Sequence, residues 1–302
     1  MKVYTPKYYN EFKCIADKCP HSCCIGWEIY IDPLTMKKYR ALQSSYSREI
    51  MSSIEGEDEP RFRMCPDGRC PHLDSDGLCK IILTSGEEYL SDICREHPRF
   101  YNRSSRGIEM GIGMACEEAA RIILESDSYR EFSATEEIED NGEAVEFDAI
   151  SRVEKILTML SDSSADYTAR LGAIYKEYRI SPGRLSDSEW RSLLSGLEYL
   201  DQTQKKRFSV YSSRLDSLGN LDKILERALA YFVYRHCSGA TDEGDFLTSL
   251  GFALFLERLF ASIIKEEEIQ ERPELVRVAR IISEELEYSE DNTDSIRLEF
   301  CF

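Results

Sequence analysis

The sequence predicts an α+β protein that is mainly α-helical, with a small, irregular Cys-rich metal-binding region followed by an α-helical region. Nine of its eleven cysteines fall within the first 116 of 302 residues, beside Pro and Gly turns. Later in the chain, apolar residues recur at the three- and four-residue spacing of amphipathic helices. We expect a Cys-rich domain over 1–125, an acidic linker or loop over 126–146, and an α-helical domain over 147–302 that recognises a substrate or partner.

The composition excludes several classes of protein. The chain carries 38 Lys+Arg against 56 Asp+Glu, a formal charge of −18, which argues against nucleic-acid binding because phosphate backbones require clustered cations. An apolar fraction of 42% excludes a disordered polyelectrolyte. The longest apolar run, 251–264, is interrupted by charged residues and is shorter than a membrane span. Since the N-terminus lacks a signal-peptide pattern, we expect a cytoplasmic protein with no membrane segment.

Short elements are predicted in the Cys-rich region. Alternating apolar residues predict a strand over 26–31, and helical spacing predicts one amphipathic helix over 35–54. Extended pieces are expected at 61–64 and 107–114, around cysteine-bearing turns. A helix is predicted over 116–124 because its small and apolar residues share one face.

The later region is predicted to be helical throughout. Apolar spacing marks helices at the following ranges: 150–160, 221–233 and 245–264. The last of these is apolar on most of its circumference and is therefore expected to be the central buried helix. Ser186 and Glu189 have the spacing of a capping box. Pro273 suits the first turn of a final helix.

The clustered cysteines have three possible structural interpretations: disulfides, buried thiols or metal ligands. A disulfide framework is disfavoured because cytoplasmic thiols are kept reduced and a chain of this length does not need such cross-links. Buried, inert thiols explain scattered cysteines, but not nine clustered in turns. We favour a metal or iron–sulfur site, because turns let the backbone wrap an ion with thiolate ligands.

Four cysteine segments carry a resemblance to a known family. They are Cys14-x4-Cys19-x3-Cys23-Cys24, then Cys70-Pro-His-Leu with Gly-Leu-Cys79, then the block ending Cys94-Arg95, and then Met-Ala-Cys116-Glu-Glu-Ala-Ala-Arg. In order and spacing they resemble the CxxCxxCC-type zinc- or iron-chelating domain family, and more closely the flagellin lysine-N-methylases within it. The resemblance covers about residues 4–125, some two-fifths of the chain.

The resemblance implies a bacterial protein-lysine N-methyltransferase with a 4Fe–4S cluster. It implies transfer of a methyl group from S-adenosylmethionine to lysine side chains of flagellin, so flagellin or another Lys-bearing protein is the expected partner. Residue by residue, eight positions match as metal ligands: Cys14, Cys19, Cys23, Cys24, Cys70, Cys79, Cys94 and Cys116. Cys65 lies outside the pattern and is interpreted as an incidental loop thiol. His72 stands where the family usually has an aromatic residue, so we expect it to pack rather than to ligate.

The arrangement of the ligands stays open. Adjacent residues such as Cys23 and Cys24 point in different directions in most backbone conformations, so one cubane rarely takes both. Eight thiolates suit two four-ligand sites, or one cluster with additional structural cysteines, and either iron or zinc. Neither the ferredoxin spacing nor that of radical enzymes dependent on S-adenosylmethionine is present.

Arg95 and Arg99 are the candidate cofactor-binding residues. They flank the turn after Cys94, where a guanidinium group can offset thiolate charge or hold a carboxylate. The chain has no phosphate loop and no complete Rossmann glycine pattern, and we assign no catalytic base and no oligomeric state. The alternative to an enzyme is a zinc- or iron-binding module whose metal holds the N-terminal fold together while the helical region binds a partner.

Overall fold

The computed structural model of the chain describes residues 1–137, 142, 145–181, 184–214 and 216–301. Helix accounts for 53% and strand for 10% of the structure, which confirms the α+β, mainly α class. The strands are β1 (Lys2–Pro6), β2 (Ile54–Glu55), β3 (Arg61–Phe62), β4 (Arg99–Ser104), β5 (Gly107–Ile112) and β6 (Phe132–Glu137). The helices are α1 (Pro33–Ala41), α2 (Ser47–Ser52), α3 (Lys80–Ser85), α4 (Asp92–Glu96), α5 (Glu117–Glu125), α6 (Ala149–Leu160), α7 (Tyr167–Glu177), α8 (Asp187–Gly196), α9 (Gln204–Phe208), α10 (Asp222–Cys237), α11 (Glu243–Glu266), α12 (Arg272–Ile282) and α13 (Glu290–Arg297).

The chain forms two compact units. The Cys-rich unit is Lys13–Pro98, and the helical unit combines Met1–Phe12 with Arg99–Phe302. This division differs from the predicted boundary at residue 125, because the first strand of the chain pairs with strands that follow residue 98. The Cys-rich unit is therefore an insertion in sequence between β1 and β4.

A four-stranded sheet in the helical unit has the order β4-β5-β1-β6. β4 and β5 form an antiparallel hairpin with Arg99 opposite Ile112, whereas β1 runs parallel to β5 with Val3 beside Ile108. β6 pairs antiparallel with β1 and forms the other edge of the sheet. Its residues lie within 126–146, so the prediction that this whole segment is a linker or loop was wrong. Residues 138–141, 143 and 144 of that segment lie outside the described part of the chain.

Helices build most of the core of the helical unit. α11 is buried along nearly its whole length, as predicted, and α10 packs extensively along it. The helix predicted at 150–160 is confirmed as α6, and Ser186 and Glu189 form the predicted capping box at the start of α8. Pro273 lies in the first turn of α12, but α13 follows, so that helix is not the final one.

One glycine of α11 allows close packing with the end of the chain. A Cβ atom at Gly251 would lie 2.4 Å from the Phe300 ring, which is far inside van der Waals contact. Phe300 in turn stacks on Trp190, with ring centroids 5.5 Å apart. Because Gly251 has no side chain, Phe300 of the turn Leu298–Phe300 can pack its ring directly against α11.

The Cys-rich unit has its own small core. Eight side chains are buried in it: Ile29, Ile31, Met36, Tyr39, Ile50, Phe62, Cys70 and Ile81. Ile29 and Ile31 of the segment 26–31 do face this core, but the segment forms one isolated bridge at Tyr30 and scattered backbone hydrogen bonds rather than the predicted strand. The helix predicted over 35–54 is two helices, α1 and α2, because Leu42 takes an extended conformation that ends α1.

Among the described residues, one helix has the length and composition of a membrane span. It is α11, and 89% of its most apolar window is buried inside the structure. Such burial is typical of the core helix of a helical bundle, since its apolar surface already contacts other helices.

Candidate metal centre

Four of the predicted ligand cysteines border the small core of the Cys-rich unit. Cys70 is buried within it, and Cys24, Cys79 and Cys94 pack against it as half-buried residues. These thiols come from three separate segments of the chain. The structure thereby brings together residues that lie up to seventy positions apart in sequence.

Backbone pairing holds the first two cysteine segments side by side. The Cys70 amide donates to the Cys24 carbonyl at 2.8 Å, and the Gly26 amide donates to the Gly68 carbonyl at 2.9 Å. Gly68 has φ +77°, which is unfavourable for residues with a side chain. The glycine therefore allows the turn that delivers Cys70 beside Cys24.

An aspartate turn positions Cys79 at the start of α3. The Asp74 carboxylate accepts hydrogen bonds from the amides of Asp76 at 2.9 Å and Leu78 at 2.8 Å, as aspartate does in tight turns. The chain then reverses direction, and the Lys80 backbone amide donates a hydrogen bond to the His72 carbonyl at 2.8 Å. Burial raises the pKa of the Cys79 thiol, and the backbone amides at the start of α3 partly oppose this rise.

The thiols influence one another electrostatically. A hydrogen bond with Cys24, followed by burial, raises the pKa of Cys23 well above its ordinary value. Burial raises the pKa of Cys70 to about 12 and that of Cys94 to about 11, and in both cases neighbouring thiols contribute. The thiols of Cys79 and Cys94 raise the pKa of Cys70, and those of Cys79 and Cys23 raise the pKa of Cys94. At neutral pH these thiols are protonated, and a bound cation would favour the thiolates.

The Tyr39 hydroxyl in this unit is buried without a hydrogen-bond partner among the described residues, and Tyr39 is 1% exposed. The Ser91 hydroxyl is equally buried, and its hydrogen bond with Cys94 partly opposes the rise in the pKa of that thiol. Besides burial, the neighbouring thiols of Cys94, Cys79 and Cys70 raise the pKa of Tyr39. Unpaired buried donors are rare in proteins and call for an explanation, of which a bound ion or water is one.

The donor set fits a soft metal ion or an iron–sulfur cluster. Thiolates are the ligands of structural zinc and of such clusters, and the buried Tyr39 hydroxyl is available to donate to sulfur. In the part of the chain that the structure describes, no three His, Cys, Asp or Glu side chains are arranged closely enough to hold an ion.

The other cysteines occupy different surroundings. Cys14 is exposed, and Cys19 ends a short 3-10 turn (Ala16–Lys18). Cys116 precedes α5 in the helical unit and packs against the core of that unit. Cys65, interpreted from the sequence as an incidental loop thiol, contributes to the raised pKa of Cys70. Its amide closes a tight turn by donating to the Arg69 carbonyl at 2.8 Å.

His72 has no ring nitrogen available for a metal in this conformation. Its Nδ1 lies 2.7 Å from the Tyr46 hydroxyl, and its Nε2 lies 2.8 Å from the Ser53 hydroxyl. The ring also packs edge-on against Phe62, with centroids 4.6 Å apart. Burial lowers the pKa of His72 to about 4. The structure thus confirms that this residue packs rather than ligates.

The two candidate cofactor-binding arginines lie in different units. Arg95 of the Cys-rich unit pairs with Asp92 and contacts Glu96 at 3.5 Å. Arg99 begins β4 in the helical unit, donates to the Tyr9 hydroxyl at 2.8 Å and lies over the rings of Tyr9 and Phe12. Their assignment as cofactor ligands stays a prediction.

Comparison with known proteins identifies relatives for part of the chain. No protein-family model matches it, and no solved structure matches it. The flagellar biosynthetic protein FliU of Salmonella muenchen is 31% identical over 132 residues, which cover 40% of this chain and 76% of FliU.

Two lysine-N-methylases match at the same level. The proteins of Salmonella typhimurium (strain LT2) and Salmonella choleraesuis are each 31% identical over 132 residues, again 40% of this chain. The match spans 32% of each methylase, about a third of its length. The share of the chain that is matched agrees with the two-fifths over which the cysteine segments carry the resemblance. The chain therefore belongs to the family of FliU and the lysine-N-methylases.

Proposed function

We propose that the chain is a protein-lysine N-methyltransferase that takes its methyl group from S-adenosylmethionine and acts on flagellin or another Lys-bearing protein. The observation that carries this proposal is its similarity to relatives named for flagellar biosynthesis and lysine methylation. A cytoplasmic location accompanies the proposal, because flagellin is made in the cytoplasm before export.

We further propose a 4Fe–4S cluster held by Cys70, Cys79 and Cys94 with Cys23 or Cys24. If only three of these thiolates bound the cluster, its fourth iron would be open and could hold the amino and carboxylate groups of S-adenosylmethionine. The thiol cluster, its apolar surroundings and the buried Tyr39 hydroxyl support this ligand set. Zinc is the alternative metal, since it takes the same ligands.

Methyl transfer makes specific demands on the protein. The sulfonium–methyl bond breaks as the bond from nitrogen to methyl forms, and the lysine amine must be neutral to provide its electron pair. The nitrogen then loses a proton. Alignment of the amine with the methyl group is the main contribution that a protein can make to such a reaction.

The metal is tested by purification without oxygen, followed by measurement of iron, sulfide and zinc and of the visible absorption spectrum. We expect iron and sulfide in equal amounts. Tightly bound zinc without sulfide would remove the cluster from the proposal.

The activity is tested by incubating flagellin with the protein and S-adenosylmethionine and measuring the mass of its lysine-containing peptides. Peptides without added methyl groups would remove the proposed substrate.

A second function is a non-enzymatic module in which zinc or iron holds the Cys-rich unit together. The small size of that unit's core favours it, since eight buried side chains support a fold of 13–98 only weakly without further cross-links. This function predicts metal-dependent folding with no methyl transfer to any protein. The two measurements above distinguish it from the enzyme.

A further inference from the structure

A surface groove in the Cys-rich unit has a volume of about 600 Å³. We call it the acidic groove. Its lining residues belong to α1 and the chain before it (Tyr30–Arg40), the loop that joins β2 to β3 (Glu57–Pro60), and the start of α4 (Asp92 and Ile93). Such a volume suits a short peptide segment rather than a single ion.

The loop from β2 to β3 is held in one shape. Gly56 has φ +82°, and a Cβ atom there would lie 2.5 Å from the Glu59 carbonyl oxygen, so only glycine fits. On the far side of the loop, the Ile31 amide donates to the Pro60 carbonyl at 2.8 Å. The wall of the groove is therefore fixed by the backbone and does not depend on a bound partner for its shape.

The charge of the groove is negative. Five carboxylates and two cations line it, a formal charge of −3. Asp32 accepts from the Thr35 and Asp92 amides, and Asp92 pairs with Arg95. The other three carboxylates, Glu57, Asp58 and Glu59, are exposed, and no described residue forms an ion pair with them. Three carboxylates are thus available to an incoming cation.

The groove also offers apolar surface next to these carboxylates. Tyr30 is 39% exposed and Ile93 is 48% exposed, although both line the cavity. A lysine side chain matches this combination, because its aliphatic stem packs on apolar surface while its ammonium group reaches a carboxylate. A small metal ion would leave the apolar part unused.

We propose that the acidic groove docks a lysine-rich segment of the protein substrate. The inference rests on the proposed lysine methylation and deepens it. The docked lysines are distinct from the lysine that is methylated, because nearby carboxylates favour the charged ammonium form and the methyl acceptor must be neutral. Asp92 and Ile93 precede Cys94 directly in sequence, so this wall of the groove is continuous with the proposed metal ligands.

The test uses the full chain and a short fluorescein-labelled peptide of lysine, alanine and leucine. Binding is followed by fluorescence anisotropy without S-adenosylmethionine, so that it does not require activity. The groove variant is Glu57→Gln/Asp58→Asn/Glu59→Gln. The matched control is Asp17→Asn/Asp76→Asn/Glu87→Gln, which removes the same charge from exposed positions of the same unit outside the groove.

We expect the groove variant to bind the peptide about tenfold more weakly, since exposed ion pairs each contribute a fraction of this change. The control variant should bind as the wild type does, and added salt should weaken binding of the wild type. Equal affinity in the two variants, or equal binding of a peptide with acetylated lysines, overturns the proposal.

Methylation of flagellin is measured in parallel. If the wild type methylates flagellin and the groove variant does so with an unchanged KM, the groove proposal fails and the proposed function stands. If the wild type transfers no methyl group but the groove variant alone loses peptide binding, the groove stands as a binding site for lysine-rich segments and the proposed function fails.

Discussion

Tyr39 is a buried phenol whose pKa is raised by burial and by the neighbouring thiols of Cys94, Cys79 and Cys70. It lies in the small core at 1% exposure, without a hydrogen-bond partner among the described residues. An unpaired buried hydroxyl destabilises a protein, so we expect the Tyr39 hydroxyl to gain an acceptor if the proposed metal binds. A thiolate bound to a metal is such an acceptor.

Substitution Tyr39→Phe tests this role. In the metal-free protein, we expect the variant to be more stable by about 1 kcal/mol, because the unpaired hydroxyl is removed and the ring is kept. In the metal-loaded protein we expect the opposite sign, together with faster loss of metal to a chelator. Denaturant unfolding in both states measures the two effects. The same change in stability with and without metal would show that the hydroxyl does not serve the metal.

His72 is the second informative residue, because both ring nitrogens are engaged by Tyr46 and Ser53. We expect His72→Phe to keep the full metal content and to lower the free energy of unfolding by about 1 kcal/mol, since hydrogen bonds are lost while the ring packing stays. Metal analysis of the purified variant measures this.

Two cysteine variants serve as controls for the metal content of His72→Phe. Cys79→Ser removes a proposed ligand and should lose metal, whereas Cys301→Ser removes an exposed thiol near the C-terminus and should not. Loss of metal from His72→Phe to the level of Cys79→Ser would contradict the packing role of His72.

At the scale of elements, a buried ionic cluster joins α10 to the turn after α12. The Glu287 carboxylate is fully buried and contacts Arg235 at 3.1 Å and His236 at 2.6 Å. Tyr231 of the same helix donates to Glu287 and accepts from the Met114 amide at 3.0 Å. The cluster thereby ties the segment before α5 to the centre of the helical unit.

Substitution Glu287→Gln leaves Arg235 buried without its counter-charge. We expect a loss of about 3 kcal/mol in the free energy of unfolding at neutral pH, as for other broken buried ion pairs. Arg235 and His236 hold the pKa of Glu287 below its ordinary value of 4.5 despite burial. The contribution of Glu287 to the free energy of unfolding is therefore complete above pH 4.5 and declines as the pH falls through the lower folded-state pKa. Denaturant unfolding of wild type and variant at several pH values should show the difference shrinking in acid; a constant difference contradicts this account.

Two elements, the break between α1 and α2 and the strand β6, could not be predicted from the sequence. The periodicity of 35–54 correctly predicted that Tyr39 and Ile50 face the core, but a core position does not require an unbroken helix, and the chain turns between α1 and α2. β6 was interpreted as linker because it is acidic. An edge strand tolerates such charge since one side of it is open to solvent.

For the whole molecule, local patterns predicted the helices and the cysteine segments, but not the division into units. The pairing of β1 with β5 joins residues about a hundred positions apart, and no local pattern in either strand specifies its partner. The Cys24 and Cys70 backbones lie side by side for the same reason, because the hydrogen bond between them is a long-range contact. Cys116 matched the family pattern equally well, yet it belongs to the helical unit.

This division predicts an uneven response to removal of metal from the full chain. The Cys-rich unit has a small core bordered by thiols, whereas the helical unit has a large apolar core around α10 and α11. After treatment with a chelator under reducing conditions, we expect amides of 13–98 to lose protection from hydrogen exchange by at least about tenfold, because metal binding supplies folding free energy there. Amides of α10 and α11 should keep theirs. Equal loss of protection in both units would mean that the metal stabilises the molecule as one cooperative body, and unchanged protection in 13–98 would remove the structural role of the metal.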